Sequence, residues 1–196
     1  YIDSLPFLKS LEKEGSCIDL ISLGKLSTLL EISRKLNNFF SSIKDGVYPL
    51  LEKKVSHLAI FPEIRRRLEN IIDKYGEIKD SASPELLHLR GEIRSKEESV
   101  AKRAGAILRK AQDEGISDLD SNINIRDGKF LIPVNTSHKR KLSGYVYDCS
   151  SSGKTTFIEP TEIVELENEI IELRFRESEE IQRILFAFTE FLRPYL

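Results

Sequence analysis

Residues 122–160 most constrain the fold, because they interrupt a chain that otherwise has the sequence pattern of α-helix. Apolar and polar residues alternate at 123–125 and again at 130–134, which is the two-residue period of a half-buried strand. Asp127 and Gly128 lie between these two runs. Because glycine tolerates positive φ, this pair predicts a tight hairpin.

Two further runs complete a predicted antiparallel sheet. Residues 145–147 and 155–158 are rich in β-branched and aromatic side chains, and the turn-forming segment 150–153 joins them. The pattern therefore predicts four strands. It leaves open whether they form one sheet or two separate hairpins.

Long segments with helical spacing of apolar residues flank this block. Ser83 and Pro84 provide an N-cap and a proline at the first helical position, and the apolar stripe continues to Gly115. A second stripe runs from Pro160 to Pro194. Each predicted helix has about 30 residues and is roughly 45 Å long. Since so narrow a stripe is stable only when it is packed, we expect the two helices to pair antiparallel.

These patterns predict a mainly α protein with a helical bundle core, a long antiparallel helical hairpin and a small antiparallel β tip. The expected boundaries are 1–83 for the core, 84–118 for the ascending helix, 119–160 for the β tip and 161–196 for the descending helix.

The predicted core has one helix of particular interest. The helix that follows Asp19 carries apolar residues on more than one face, and we expect it to be the centre of the bundle. A turn is predicted at residues 45–46, and 73–83 is the longest predicted loop before the ascending helix.

Composition restricts the classes of function. The chain is 40% hydrophobic and 32% charged, with 8% aromatic residues, which suits helices with much exposed surface. A net charge of −2 excludes a general electrostatic attraction to nucleic acid, so any such contact must be local. The absence of an apolar run of about 18 residues and of a targeting motif predicts a soluble, cytoplasmic protein with no membrane partner. The chain lacks methionine and begins at Tyr1, so we expect it to be a fragment.

Cysteine and histidine do not predict a metal site. Cys17 and Cys149 lie far apart in unlike settings, so neither a disulfide nor a metal site is expected, and both should be at least partly buried. His57 and His88 have no acidic or cysteine partner at ligand spacing.

The segment Gly153-Lys154-Thr155 superficially resembles the end of a phosphate-binding loop. That motif requires a second glycine five positions earlier, where this chain has Asp148, and a helix immediately after the threonine. Residues 156–158 have strand character instead. We therefore predict no nucleotide binding by this segment.

Basic residues cluster in the turns and loops of the β block. They are Arg126, Lys129, His138, Lys139, Arg140, Lys141 and Lys154. Concentrated positive charge on a nearly neutral protein allows contact with the phosphates of a polyanion. A solvated basic loop without a ligand is the alternative that the residues themselves leave open.

The last helix is rich in glutamate, but its carboxylates do not indicate catalysis. Arg174, Arg176 and Arg183 are interleaved with the acids, which predicts an exposed helix face with ion pairs at i,i+4 spacing. The chain has no arrangement of a nucleophile with a base. We therefore predict no catalytic residue and no enzyme activity for this segment.

Several segments resemble bacterial MutS relatives of the second branch, from about residue 60 to the end. The motifs are IKDSASPEL at 78–86, IRDGKF at 125–130, IPV at 132–134, GYVYD at 144–148, SSSG at 150–153, FIEP at 157–160 and VELENEI at 164–170.

The resemblance implies a homodimeric ATPase of the mismatch-repair type, without a mismatch-reading N-terminal domain and usually with a C-terminal Smr endonuclease domain. ATP and magnesium would bind in an ATPase domain that this chain lacks, so no cofactor is expected here. The matched part would be the core, the lever helices and a clamp that binds branched or duplex DNA and suppresses recombination.

Two alternatives remain open at this point. In the first, the β tip contacts the ribosome, in a factor that acts on collided ribosomes. In the second, the segment is a purely structural stalk that dimerises through its apolar bundle and binds no nucleic acid.

Overall fold

The computed structural model describes residues 4–43 and 47–196, so the turn predicted at 45–46 lies outside the described residues. The described residues form six α-helices and one four-stranded antiparallel sheet, which confirms the mainly α class. The chain divides into two compact units. Unit 1 comprises Tyr1–Leu87 and Ser178–Leu196, and unit 2 comprises His88–Glu177.

Unit 1 is helical. Its helices are α1 (Leu5–Leu11), α2 (Leu20–Ser42), α3 (Pro49–Val55) and α4 (Pro62–Ile71), with the first residues of α5 (Pro84–Asp113) and the last part of α6 (Thr161–Leu192).

The start of α2 is fixed by its cap. The Asp19 carboxylate accepts a hydrogen bond from the Ser22 amide at 2.8 Å and from the Ser22 hydroxyl at 2.7 Å. These bonds satisfy a donor that the first turn of a helix leaves free, and they lower the pKa of Asp19.

The core of unit 1 packs helices that are distant in sequence. Leu23 of α2, Leu68 of α4, Leu86 of α5 and Phe188 of α6 are all at most 1% exposed. Fully burying side chains of this size stabilises a fold by about 1.5–3 kcal/mol each. The apolar stripes at both ends of the sequence therefore contribute to one core.

The prediction that α2 lies at the centre of this bundle is wrong for its second half. The buried residues of α2 fall in its first two turns. Further along, Ile32, Leu36 and Phe39 are at least 40% exposed. Apolar residues on several faces show that a helix can be buried, but burial also requires a surface that faces it.

The segment predicted as a loop at 73–83 is ordered by a small hairpin. Ile72 and Ile78 form an antiparallel bridge. The Asp73 carboxylate accepts hydrogen bonds from the amides of Tyr75 at 2.8 Å and Glu77 at 3.0 Å. Gly76 has a φ of 86°, which favours glycine. The turn is thus fixed by hydrogen bonds from two backbone amides to the Asp73 side chain and by the conformation of Gly76.

The predicted cap of α5 is confirmed. The Ser83 hydroxyl accepts the Leu86 amide at 3.0 Å and donates to Glu180 Oε1 at 2.6 Å. Glu180 is 6% exposed and also binds Arg183. The hydrogen bond from Arg183, followed by the one from Ser83, lowers the pKa of this carboxyl group.

In unit 2, α5 and α6 share an apolar seam. Its buried residues are Leu89, Ile93, Val100, Ala104, Ile163, Ile170 and Leu173. The burial of these side chains confirms the two helical stripes that the sequence predicts for this part of the chain.

Ion pairs flank the seam and set its direction. Arg90 contacts Glu177 at 2.6 Å, and Arg103 contacts Glu162, so residue numbers fall along α6 as they rise along α5. The two segments therefore run antiparallel within unit 2. The predicted i,i+4 pairing along α6 is wrong for Arg174, which binds Glu97 of α5 at 2.7 Å.

Gly115 ends α5, as predicted. Its φ is 64°, and its amide donates to the carbonyl of Gln112 at 3.0 Å. The next amide, that of Ile116, donates to the carbonyl of Ala111 at 2.8 Å. This pair of bonds is the Schellman motif, which requires a left-handed residue at the position of the glycine.

The strands of unit 2 form one sheet, which settles the alternative that the sequence leaves open. They are β1 (Asn124–Arg126), β2 (Lys129–Asn135), β3 (Gly144–Cys149) and β4 (Thr155–Pro160), in the spatial order β1-β2-β4-β3.

The edge strand β3 is exposed along its whole length and is irregular. A bulge interrupts its pairing with β4 between Val146 and Asp148. At its start, a Cβ atom on Gly144 would lie 2.3 Å from the carbonyl oxygen of Glu159. Only glycine therefore allows the two strands to approach this closely.

One face of the sheet is mainly apolar, whereas the other, the polar face, carries the charged side chains together with the fully buried Leu131. Ile132 and Ile158 are directly paired and pack with Leu108 and Ala111 of α5. Side chains that alternate with them point to the opposite face, which carries the charged residues of the sheet. The sheet therefore packs against the end of α5 through its mainly apolar face.

The structure also describes the segment 153–155, the two cysteines and the apolarity of the helices. Thr155 begins β4 rather than a helix, which confirms the strand character predicted for residues 156–158. Cys17 and Cys149 are exposed, so the expectation that they are at least partly buried is wrong. Within the part of the chain that the structure describes, no helix has the length and apolarity needed to cross a membrane.

Candidate nucleic-acid interface

The predicted basic residues lie at opposite ends of β2. Arg126 and Lys129 flank the β1–β2 turn, whereas the segment 136–141 follows the other end of the strand. Because β2 has seven residues, a rise of about 3.3 Å per residue separates the two ends by roughly 20 Å. The seven predicted residues therefore do not form one patch.

Arg126 is held against the polar face of the sheet. Its Nη1 donates to Asp148 Oδ2 at 2.8 Å, and its Nε donates to Asn124 Oδ1 at 3.0 Å. The guanidinium lies over the ring of Phe157, with 4.4 Å from Cζ to the ring centroid. Three interactions thus fix this side chain in a structural position.

Lys129 is held by a buried carboxylate. Its Nζ donates to both oxygens of Glu159 at 2.7 Å, and the Glu159 side chain is only 6% exposed. These hydrogen bonds, which Lys129 donates to Glu159, raise the pKa of Lys129. Burial and the nearby charge of Glu159 raise the pKa of Glu167, one of whose carboxylate oxygens is buried without a partner. Two acids therefore face one lysine here.

A second contact joins the β1–β2 turn to the edge strand. The Tyr147 hydroxyl donates to the carboxylate of Asp127, and this bond raises the pKa of the phenol. Asp127 has a φ of 51°, in the left-handed region. Together with the Arg126–Asp148 pair, this contact ties the turn across the sheet to β3.

Basic side chains near the opposite end of β2 are exposed to solvent and are not held by acidic partners in the described structure. Lys139, Arg140, Lys141 and Lys154 are exposed, and none of the four has an ion-pair partner among the described residues. The Thr136 amide donates to the carbonyl of Lys154 at 3.0 Å, which places the 136–141 segment beside the β3–β4 turn. The sheet therefore brings these four residues into one neighbourhood.

His138 attaches this basic segment to the end of α5. Its Nδ1 lies 3.2 Å from the carbonyl oxygen of Gly115. The adjacent Asn135 donates from Nδ2 to Asp118 at 3.1 Å, so an acidic side chain also lies close to the segment. His138 therefore has a positioning contact, while the lysines and the arginine that follow it are directed to solvent.

Sequence reasoning missed the acidic partners of two cations. Asp148 and Glu159 follow Arg126 and Lys129 by 22 and 30 residues, so no local spacing reveals the pairs. Register is the signal that would have found them, because pairing β2 with β4 and β4 with β3 places these acids on the face that carries the two cations. Among the described residues, no group of three or more His, Cys, Asp or Glu side chains is arranged to hold a metal ion.

No family model matches the chain, but several curated proteins do. A protein named Endonuclease MutS2 from Aquifex aeolicus is 32% identical over 193 residues, which are 98% of this chain and 25% of that protein. Endonuclease MutS2 from Bacillus velezensis is 34% identical over 178 residues, or 90% and 22% of the two chains. Putative endonuclease MutS2 from Bacillus subtilis is 32% identical over 183 residues, or 92% and 23%. The chain thus spans about a quarter of the length of these relatives.

Proposed function

This chain belongs to the second branch of the bacterial MutS family, and on that premise we propose that it is the core, lever and clamp segment of a DNA-binding ATPase. In this proposal α5 and α6 are the levers, the sheet of unit 2 is the clamp tip, and the tip grips branched DNA in a protein that suppresses recombination. The observation that carries the proposal is a group of four exposed cations at one end of the sheet that have no ion-pair partner among the described residues.

The chemistry of that group suits a phosphate backbone. Exposed Lys and Arg side chains neutralise phosphates and release counterions, and this term supplies most of the affinity of binding without sequence readout. Lys139, Arg140, Lys141 and Lys154 have no competing carboxylate partner among the described side chains. Arg126 and Lys129 would have to give up Asp148 and Glu159, so we assign them a structural role.

The relatives carry endonuclease in their names, whereas this chain matches about a quarter of their length. We propose that ATP hydrolysis and strand cleavage belong to the other parts of such a protein. The segment described here contributes binding and transmits motion. Both α5 and α6 contribute residues to both units, as lever helices would.

The test is to neutralise the tip without changing its fold. We expect Lys139→Gln, Arg140→Gln and Lys141→Gln together to weaken binding to a four-way DNA junction, measured by fluorescence anisotropy between 50 and 200 mM salt. Loss of three phosphate contacts lowers the salt slope by about 2 to 3, at roughly 0.9 per contact.

A matched control removes the same charges from the same unit. Lys102, Arg109 and Lys110 are exposed residues of α5, and changing all three to Gln removes two lysines and one arginine, as at the tip. The control should retain the affinity and the salt slope. Equal losses in both variants, or no loss in the tip variant, would reject the tip as the DNA contact.

A further inference from the structure

A second basic surface lies in unit 1, in an open cleft between α2 and the hairpin at residues 72–78. The cleft has a volume of about 840 Å³. Six basic and three acidic side chains line it, so its local charge is positive although the chain as a whole carries −2. A local excess of cations in a concave surface concentrates anionic ligands.

Ion pairs within the cleft already neutralise part of its positive charge. Arg34 binds Glu31 at 2.7 Å, which lowers the pKa of Glu31 to about 2, and Arg65 binds Glu69 at 2.6 Å. Lys79 Nζ donates to the carbonyl of Glu69 at 2.6 Å. These side chains line the cleft and already have partners within the protein.

Three lysines remain available to a ligand. Lys25 is exposed and has no ion-pair partner among the described residues. Lys35 is 70% exposed, and its Nζ lies 3.6 Å from Glu31 Oε1, which Arg34 binds more closely at 2.7 Å. Lys74 lies over the ring of Tyr75, at 4.8 Å from the centroid, and carries no ion pair within the described part of the chain. The cleft thus presents three separate positive charges.

Tyr75 adds an aromatic surface at the edge of the cleft. It is 77% exposed, although the turn that carries it is fixed by two hydrogen bonds to Asp73. The exposed ring, held by an ordered turn, is therefore accessible to a ligand. Bases of any identity stack on such a ring, because every base has a π-face.

We propose that this cleft binds single-stranded nucleic acid, with Lys25, Lys35 and Lys74 contacting phosphates and Tyr75 stacking on an unpaired base. A positive groove with an exposed aromatic side chain favours a single strand over a duplex, because the bases of a duplex are already stacked on one another. The size of the cleft also exceeds what a single inorganic phosphate would fill. The site lies in unit 1 and does not depend on the proposed role of the β tip.

The first experiment measures binding of a 20-nucleotide labelled oligo(dT) to the whole chain. We expect Lys25→Gln, Lys35→Gln and Lys74→Gln together to weaken binding about ten-fold at 50 mM salt and to lower the salt slope by about 2, at roughly 0.7 per contact on a single strand. Lys13→Gln, Lys53→Gln and Lys54→Gln remove the same charge from exposed positions of unit 1 outside the cleft, and should change neither value.

The second variant isolates stacking. Tyr75→Ser should weaken binding about ten-fold while leaving the salt slope unchanged, because no charge is lost, and Tyr75→Phe should restore the affinity. If the serine variant binds normally, or if a fully paired duplex binds the cleft as tightly as oligo(dT), the proposal is overturned.

Photo-cross-linking separates this site from the tip. With 5-bromouracil in the oligonucleotide, the proposal predicts cross-links to the tryptic peptide 75–79, and these should persist in the Lys139→Gln, Arg140→Gln, Lys141→Gln variant. Cross-links confined to peptides of residues 139–154 would overturn the unit 1 site and leave the tip proposal standing. Loss of junction binding in the tip variant, with peptide 75–79 still labelled, would support both.

Discussion

At one end of β2 the basic side chains bind acidic partners, whereas near the other end they have none among the described residues. At the β1–β2 turn, Arg126 and Lys129 are each bound to a carboxylate of a neighbouring strand. At the other end, Lys139, Arg140 and Lys141 are exposed and have no such partner in the described structure. The difference lies in the strands opposite them rather than in the basic residues themselves.

This contrast shows that strand pairing determines which basic residues are bound to acids and which remain available. A cation next to an acid across the sheet stabilises the fold, and a cation in a loop beyond the last paired residue is available to a ligand. The two cations of the polar face are therefore already paired within the sheet. We therefore expect nucleic acid to contact the loops of this sheet rather than its strands.

The largest expected effect tests the buried pair. Lys129→Ala leaves Glu159 buried without its partner, and we expect a loss of about 1–2 kcal/mol in the free energy of unfolding. This is below the 3–5 kcal/mol of a fully buried pair, because Lys129 is 42% exposed. Urea denaturation measures the change.

The matched change at the other end is Lys154→Ala, which should alter the free energy of unfolding by less than about 0.5 kcal/mol. Adding Glu159→Gln to Lys129→Ala should recover part of the loss, because it removes the unpaired buried charge. Equal destabilisation by Lys129→Ala and Lys154→Ala would remove the distinction between the two ends.

A smaller effect tests whether Arg126 acts through shape as well as charge. Arg126→Lys keeps the charge but loses the planar group over Phe157 and its fixed set of donors, so we expect a loss of about 0.5–1 kcal/mol. Arg140→Lys, at the exposed end, should be neutral. A neutral Arg126→Lys in the same urea titration would show that charge alone matters at both ends.

The smallest effect concerns pH. Burial and the charge of Glu159 raise the pKa of Glu167 above its ordinary value of 4.5, so the folded state keeps a proton that the unfolded chain has lost. The unfolded state then binds fewer protons, and the free energy of unfolding falls as pH rises from about 4.5 through the raised pKa.

We expect Glu167→Gln to remove this decline and to stabilise the protein at pH 7 by less than about 1 kcal/mol. Glu165→Gln, at an exposed position of the same helix, is the control and should leave the pH profile unchanged. Thermal unfolding at several pH values makes the comparison. A Glu167→Gln profile that matches the parent would argue against a raised pKa of Glu167 in the folded state.

The elements of this fold were predictable where local signals are strong. The Ser83 cap, the Gly115 terminus and the turn at 127–128 each depend on one or two residues whose backbone preferences are specific. The first two strands followed from the two-residue period, and the last two from runs of β-branched and aromatic residues. Each of these signals lies within a few positions of the structure that it determines.

The parts that could not be predicted depend on distant partners. The acids that bind Arg126 and Lys129 are set by strand order, and strand order is not visible in a single strand. The exposed second half of α2 and the pairing of Arg174 with α5 have the same origin. The sequence does not predict the cleft in unit 1, because Lys25, Lys35 and Lys74 come together only when α2 lies beside the 72–78 hairpin.

The bulge in β3 has a consequence for the behaviour of the protein at high concentration. An edge strand with tyrosine and valine exposed to water is a template onto which a strand of another molecule can add, and long rows of such additions produce fibrils. By breaking the regular row of donors and acceptors between Val146 and Asp148, the bulge limits this growth. Solubility at this edge therefore comes from backbone irregularity as well as from charge.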